Sequence, residues 1–83
     1  MPTYLDTHKF IPGLTAAGLA DAHAKDVEVG EKYGVKYLKY WFDETTGKVY
    51  CLAEAPDPEL CERVHREAHG LLADEITQVT EGG

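Results

Sequence analysis

The sequence predicts an α+β fold of four strands and two helices, and three observations support this prediction. Two segments with helical spacing of apolar residues begin at good N-cap residues, Thr15 and Asp57. An aromatic-rich segment at 35–43 is joined by a turn sequence, 43–47, to a β-forming segment at 48–55. Shorter β-forming segments precede the first helix and follow the second. The order βαββαβ is typical of the ferredoxin-like fold, a four-stranded antiparallel sheet with both helices on one face.

The first strand is predicted at residues 4–11, where Pro12-Gly13 ends it. Successive side chains of a strand point to opposite faces of the sheet. One face of this strand therefore carries Tyr4, Asp6, His8 and Phe10. Because Asp6 is two residues from His8, its carboxylate could orient the imidazole, as in many metal sites, or make a purely structural hydrogen bond.

The first helix is predicted from Thr15 to about Tyr33, with Gly34 as its C-terminal stop. A helical wheel places His23 inside the apolar stripe and Asp26 at its edge. The stripe consists of Ala16, Leu19, Ala20, Ala24 and Val27. We therefore expect His23 to face the sheet, as a metal ligand or as a hydrogen-bonded core histidine.

The second helix is predicted from Pro58 to Gly70, and a last strand at 74–80. The buried stripe of this second helix is formed by Leu60, Cys61, Val64 and Ala68. His65 and His69 fall on one flank of this stripe, with Glu62 beside them. These two histidines are therefore expected at the rim of the core, partly accessible to solvent.

A strand that is apolar on both faces needs two covers, and the strand at 35–43 has this character. The helices can cover only one face of the sheet. The other face is predicted to carry Tyr40, Phe42, Tyr50 and Leu52. Burial of such side chains contributes about 1.5 to 3 kcal/mol each, so we expect a homodimer that associates sheet against sheet, a dimeric α+β barrel.

Composition limits the classes of function. The 83 residues are expected to form a single domain, 1–83, with a net charge of −7. This acidic balance argues against nucleic acid and anionic membranes as partners and is compatible with cations. No apolar run is long enough to span a bilayer, and the N-terminus lacks the features of a signal peptide. We therefore expect a cytoplasmic protein in which the two cysteines, Cys51 and Cys61, are free thiols.

The spacing His65-x-x-x-His69 indicates a candidate metal site. Residues four apart lie on the same side of a helix, close enough to share one ion. The alternative is that both imidazoles only stabilise the C-terminal end of the helix. Further candidate ligands are His8, His23, Asp26 and Cys51. Cys51 could equally be an ordinary buried residue of the core.

Several segments together resemble a family of small bacterial proteins with an uncharacterised domain, which includes a nickel-binding protein. The resemblance covers nearly the whole chain, and its most specific block begins at His65. The segments are Asp6-x-His8, 22–26, 34–41, 51–56 and 64–76. The resemblance implies a dimeric ferredoxin-like fold and a nickel-binding role. The segment Thr7-His8-Lys9 stands where many relatives carry a His-His pair, which implies that a metal site on the first strand has lost one ligand.

The function expected from these observations is binding of a divalent transition metal ion, nickel first and zinc or copper otherwise, for sequestration or storage. The alternative is a dimeric barrel enzyme, or a ligand-binding regulatory module, with a cavity between the sheet and the helices. No nucleophile elbow, phosphate-binding loop or zinc-protease motif is present. The sequence therefore favours metal binding over catalysis.

Overall fold

The computed structural model describes residues 1–83 and contains six elements in the order βαββαβ. They are β1 (Thr3–His8), α1 (Ala16–Tyr33), β2 (Lys36–Asp43), β3 (Lys48–Glu54), α2 (Pro58–Ala68) and β4 (Glu75–Val79). The strands form one sheet in the order β2-β3-β1-β4, and all neighbours are antiparallel. The predicted ferredoxin-like fold is confirmed.

The predicted helix starts and the predicted hairpin turn are confirmed. The side-chain oxygen of Thr15 accepts the N–H of Gly18 at 3.0 Å, and that of Asp57 accepts the N–H of Leu60 at 3.0 Å. Gly34 ends α1 in the left-handed region with a φ of 70°. In the turn between β2 and β3, Gly47 has a φ of 78°, a conformation that residues with a Cβ rarely adopt.

The first strand is shorter than predicted, because β1 ends at His8 and the chain then turns towards the hairpin of β2 and β3. The N–H of Ile11 donates to the carbonyl oxygen of Gly47 at 2.9 Å, which holds this turn in place. Tyr4, Asp6 and His8 share the buried face as predicted. Phe10 does not, because it lies beyond the strand and is 67% exposed.

A β-bulge in β2 changes which aromatic residues face the helices. The pairing with β3 shifts between Tyr37 and Lys39, so one extra residue stands in β2. Beyond the bulge Tyr40 pairs with Cys51, and Cys51 belongs to the buried face. The prediction that Tyr40 and Phe42 lie on the uncovered face is therefore wrong. Each of them pairs with a residue of the helix-covered face: Tyr40 with Cys51, and Phe42 with Val49.

The buried side of α1 also differs from the predicted stripe. Leu19, Asp26 and Gly30 are buried, whereas the predicted members Ala16, Ala20, Ala24 and Val27 are exposed. A Cβ on Gly30 would lie 2.6 Å from the carbonyl oxygen of Val35, so only glycine permits this close approach. The apolar spacing predicted the wrong arc because two of the three buried positions are occupied by a carboxylate and a glycine.

The sheet face opposite the helices is uncovered and partly apolar. It presents Leu5, Trp41, Tyr50 and Leu52, which the register places together. The indole of Trp41 is 48% exposed. Neither helix combines the length and the apolar character that crossing a bilayer requires. The dimer stays a prediction, with Trp41 and Leu5 on the face in place of Tyr40 and Phe42.

Candidate metal centre

His65 of α2 lies at the centre of a polar cluster between the helices and the sheet. Its exposed fraction is 0%, so the prediction that it lies at the rim of the core is wrong. The two nitrogens of its ring meet two carboxylates: Nδ1 is 2.9 Å from Asp26 Oδ1 of α1, and Nε2 is 2.8 Å from Asp6 Oδ2 of β1. We call these two sides of the ring the helix edge and the sheet edge.

The sheet edge consists of Asp6 and His8 on β1 and Cys51 on β3. Asp6 and Cys51 stand opposite each other in the sheet, and the His8 ring lies 5.2 Å from that of His65. The Tyr37 hydroxyl is 3.1 Å from Asp6 Oδ2 and 3.2 Å from the Cys61 carbonyl oxygen. Although Nε2 of His65 is close to Asp6, neither it nor Asp6 Oδ1 makes an aligned hydrogen bond. The sheet edge therefore keeps two polar atoms, Asp6 Oδ1 and His65 Nε2, without an aligned hydrogen bond deep in the core.

The helix edge is fully hydrogen-bonded. Asp26 binds Nδ1 of His65 and also Nε2 of His69, whose distances to its two carboxylate oxygens are 3.0 and 3.1 Å. Nδ1 of His69 accepts the N–H of Leu71 at 3.0 Å. Since an imidazole nitrogen that accepts a hydrogen bond carries no proton, the His69 proton is assigned to Nε2. This assignment makes His69 a neutral donor to Asp26.

The charges of the cluster explain how its buried polar groups are tolerated. Burial alone would lower the pKa of His65, but the carboxylates of Asp26 and Asp6 outweigh burial and raise it to about 11. Burial would raise the pKa of Asp26, and the hydrogen bonds from His65 and His69 outweigh it and lower that pKa. In the metal-free protein, His65 is therefore an imidazolium held between two carboxylates.

The two other sheet-edge donors have different charge states from His65. Burial, together with the nearby charge of His65, lowers the pKa of His8, so this imidazole is neutral at pH 7. Burial also raises the pKa of the Cys51 thiol, which is protonated. A metal ion that bound here would meet a neutral imidazole and would have to displace the proton of a thiol.

His23 lies apart from both edges. It is half-buried, its ring is 4.7 Å from that of Tyr40, and its Nδ1 is buried without a hydrogen-bond partner. It lines a cavity of about 20 Å³, which also touches His8 and His69. A cavity of this size holds a water molecule. The prediction that His23 faces the inside of the fold agrees with this position.

Five of the six predicted ligands form two donor sets that share His65. One set is His8, Cys51 and His65, and the other is Asp26, His65 and His69. In each set the ligand atoms lie within 4.8 Å of one another. His23 belongs to neither set. Glu62 does not accompany the histidines, because it pairs with Arg66 on the surface at 3.1 Å.

Sequence reasoning missed two parts of this cluster. Asp6 was expected to orient His8, but its closest imidazole is that of His65. Tyr37 had no predicted role. The signal for Asp6 was its place on the buried face of a strand, since a carboxylate is almost never fully buried without a partner. No comparable signal exists for Tyr37, because the sequence does not show that its hydroxyl meets Asp6 and the Cys61 carbonyl oxygen.

A family model described as "Nickel responsive protein SCO4226-like" matches residues 4–79. The chain belongs to this family. A solved structure, described as "Crystal structure analysis of SCO4226 from Streptomyces coelicolor A3(2)", is similar along nearly the whole length. Its sequence is 36% identical, the match covers 98% of this chain and 99% of that chain, and the TM-score is 0.89. No curated protein matches the chain. The resemblance stated from the sequence is confirmed at the level of the SCO4226-like family and its fold.

Proposed function

We propose that the protein binds a divalent transition metal ion, nickel first and zinc or copper otherwise, and holds it for sequestration or storage. The observation that carries this proposal is the convergence of imidazole, carboxylate and thiol groups from four elements on one buried ring, that of His65. The description of its family as nickel responsive supports nickel as the first ion to test. Imidazole and thiolate are ligands that nickel, zinc and copper accept.

The spacing of the donors fits an ion. Bonds between a metal and nitrogen are about 2.1 Å long, so two ligand atoms at a right angle are about 3 Å apart. Asp26 Oδ1 is 2.9 Å from His65 Nδ1 and 3.0 Å from His69 Nε2, which matches this spacing. On the sheet edge, Nε2 of His65 and Oδ1 of Asp6 are buried without hydrogen bonds. Once Nε2 gives up its proton, a metal ion could accept a lone pair from each of these two atoms.

The two sets would hold an ion in chemically different ways. His8 and Cys51 would offer nitrogen and sulfur beside His65, and Asp26 and His69 would offer oxygen and nitrogen. Either set requires His65 to give up a proton, because only a neutral imidazole nitrogen binds a metal. The predicted role of His23 as a ligand stays a prediction.

Calorimetric titration of Ni²⁺ into untagged protein tests the proposal. The variants are His8→Ala, His69→Ala and His23→Ala, each checked for its fold by circular dichroism. His65 is left intact, because its removal would also remove the cation between two buried carboxylates. We expect the parent to bind Ni²⁺. Loss of His8 should weaken binding at least tenfold if the ion lies at the sheet edge, and loss of His69 should do so if it lies at the helix edge.

His23→Ala is the matched control, because it removes a histidine from the same cavity but from neither donor set. Unchanged binding in all three variants would exclude this cluster as the metal site. A loss of binding in His23→Ala alone would move the site to the cavity between Tyr40 and Leu19.

The alternative of an enzyme or an organic-ligand module finds no support in this cavity. Pockets for small organic molecules measure roughly 300 to 1,000 Å³. The cavity beside His65 is about 20 Å³. We therefore advance no second function for it.

We also propose that residues 1–83 act as one cytoplasmic domain that pairs with a second copy through the uncovered sheet face. Leu5, Tyr50 and Leu52 are half-buried there and Trp41 is more exposed. A charge in the middle of an apolar interface prevents association. Light scattering of the parent should give a dimer, and of Leu52→Glu a monomer. Thr77→Glu, on the same face but nearer its edge, is the matched control, and a monomeric parent would refute the dimer.

A further inference from the structure

The ring of His69 has its two nitrogens engaged by different parts of the chain. Nε2 donates to Asp26 at 3.1 Å, and Nδ1 accepts the N–H of Leu71 at 3.0 Å. Leu71 begins a segment without regular structure, residues 71–74, that connects α2 to β4. The backbone of this segment is therefore fastened to a candidate metal ligand.

A metal ion cannot bind His69 Nε2 without disturbing this arrangement. A neutral imidazole that binds a metal through Nε2 carries its proton on Nδ1. That proton would face the N–H of Leu71, so two donors would meet at a distance where one of them now accepts. The N–H of Leu71 would lose its acceptor, and the backbone would have to move away.

We propose that His69 is a latch that reports metal occupancy: binding of an ion between Asp26, His65 and His69 moves the His69 proton from Nε2 to Nδ1 and releases Leu71. This inference rests on the proposed function, because it needs an ion at the helix edge. Solvent takes the Nε2 proton of His69 and supplies its Nδ1 proton, and His65 gives its Nδ1 proton to solvent, so one proton is released overall and both rings are neutral. The His69 ring changes only from one neutral tautomer to the other.

The released part of the chain is limited by a second attachment. Asp74 is held to the start of the turn after β1, because its N–H donates to Thr7 O at 2.9 Å and its carboxylate accepts the N–H of Lys9 at 2.7 Å. The N–H of Gly70 donates to His65 O at 2.8 Å and is not involved in the latch. Movement should therefore be confined to residues 71–73, which include the partly exposed side chains of Leu71 and Leu72.

The sheet-edge donors provide an internal comparison. His8 meets this segment only as a donor to the backbone of Leu72, and Cys51 makes no hydrogen bond with it. An ion bound only at that edge leaves the His69–Leu71 hydrogen bond in place. The position of the ion thus decides whether the segment is released.

Nuclear magnetic resonance with Zn²⁺, a diamagnetic ion, tests the latch on the intact chain. Long-range proton–nitrogen correlations of the imidazoles should place the His69 proton on Nε2 without zinc and on Nδ1 with it. Amide exchange of Leu71 should accelerate on zinc binding at least tenfold, while that of Gly70 should change less than twofold. Zinc binding with an unchanged His69 tautomer and unchanged Leu71 exchange would overturn the latch and leave the proposed function standing. Absence of zinc and nickel binding by calorimetry would overturn both.

A pair of variants tests the sign of the coupling. Leu71→Pro removes the backbone N–H that must be displaced. Leu71→Ala shortens the same side chain but keeps this N–H. A merely structural hydrogen bond predicts equal or weaker zinc binding in Leu71→Pro. The latch predicts binding about three- to tenfold tighter in Leu71→Pro than in Leu71→Ala, since the bond no longer opposes the ion. If Leu71→Pro does not fold, the exchange measurement on the parent decides alone.

Discussion

The two edges of the His65 ring differ in how completely their polar atoms are satisfied. On the helix edge, hydrogen bonds run without a break from His65 through Asp26 and His69 to the backbone of Leu71. On the sheet edge, Asp6 Oδ1 and His65 Nε2 lack aligned partners although both residues are wholly buried. A saturated edge stabilises the fold, whereas the unsaturated edge leaves the lone pairs of Asp6 Oδ1 available for a ligand, together with that of Nε2 once His65 loses its proton. One side chain therefore serves both purposes, and the following predictions separate them.

Removal of His65 should have the largest effect, because it serves both edges. His65→Ala would leave the carboxylates of Asp6 and Asp26 buried without the cation between them. Breaking a buried ion pair from one side costs about 3 to 5 kcal/mol. Urea unfolding followed by circular dichroism should show a loss of this size, and His69→Ala should lose less than half as much.

A compensating variant separates the charges from the packing in this loss. Adding Asp6→Asn and Asp26→Asn to His65→Ala removes the unpaired carboxylates but keeps the cavity left by the ring. If charge dominates, the triple variant should be more stable than His65→Ala. If the triple variant is less stable, the cluster is held by packing, and the distinction between saturated and unsaturated edges loses its energetic meaning.

The stability of the metal-free protein should fall with rising pH. The pKa of His65 is raised to about 11 from its ordinary value of 6.5, so the folded state keeps a proton that the unfolded state releases. The stabilisation is complete below pH 6.5 and is lost progressively as pH rises towards 11. Between pH 7 and 9 we expect a loss on the order of 2 kcal/mol in urea unfolding.

The histidine His8 and the variant without His65 provide the controls for this pH dependence. His8 has a lowered pKa, so it is neutral in both states above pH 6.5 and does not contribute in this window. The triple variant without His65 should show a flatter profile between pH 7 and 9. A flat profile in the parent would contradict the description of His65 as a buried imidazolium.

How much of this cluster could be predicted from the sequence depended on which residues of each helix and strand face it. On the second helix, apolar spacing correctly marked Cys61 and Val64 as buried but left His65 at the rim of the core. The buried side of the first helix was predicted wrongly, because Asp26, expected only at the edge of the apolar stripe, and Gly30 occupy its buried positions. Where a polar pair replaces apolar contact, only the partner explains the burial, and the partner of Asp26 lies 39 residues away.

The sheet shows the same limit at Tyr40 and Phe42. The strand, its ends and the hairpin turn followed from local composition, but the bulge between Tyr37 and Lys39 did not. One extra residue reverses every later side chain of a strand. The six candidate ligands were therefore proposed as residue types, while the grouping of five of them into two donor sets required the tertiary structure.

The two carboxylates give the next largest contrast. Asp26 contacts two imidazoles in aligned geometry, and Asp6 contacts one imidazole poorly aligned and the Tyr37 hydroxyl. Hydrogen bonds to charged groups contribute about 1.5 to 3 kcal/mol. Asp26→Asn should therefore destabilise the protein by about 1 kcal/mol more than Asp6→Asn in urea unfolding. Equal losses, or a larger loss in Asp6→Asn, would show that the sheet edge is satisfied in solution as fully as the helix edge.

The smallest effect is expected at Tyr37, whose hydroxyl supports the sheet edge from behind. Its single proton can be donated either to Asp6 Oδ2 or to the Cys61 carbonyl oxygen. Removing it in Tyr37→Phe deprives one buried acceptor of a partner, which costs about 1 kcal/mol. Tyr4→Phe is the matched control, because Tyr4 has the same exposed fraction of 6% and its hydroxyl makes no side-chain hydrogen bond. Urea unfolding of the two variants should differ by this amount, and loss of the Tyr37 hydroxyl should leave the Asp26–His69 contacts unchanged. If Tyr37→Phe and Tyr4→Phe are equally stable, Asp6 gains nothing from the hydroxyl, and the unsatisfied state of the sheet edge extends to both of its carboxylate oxygens.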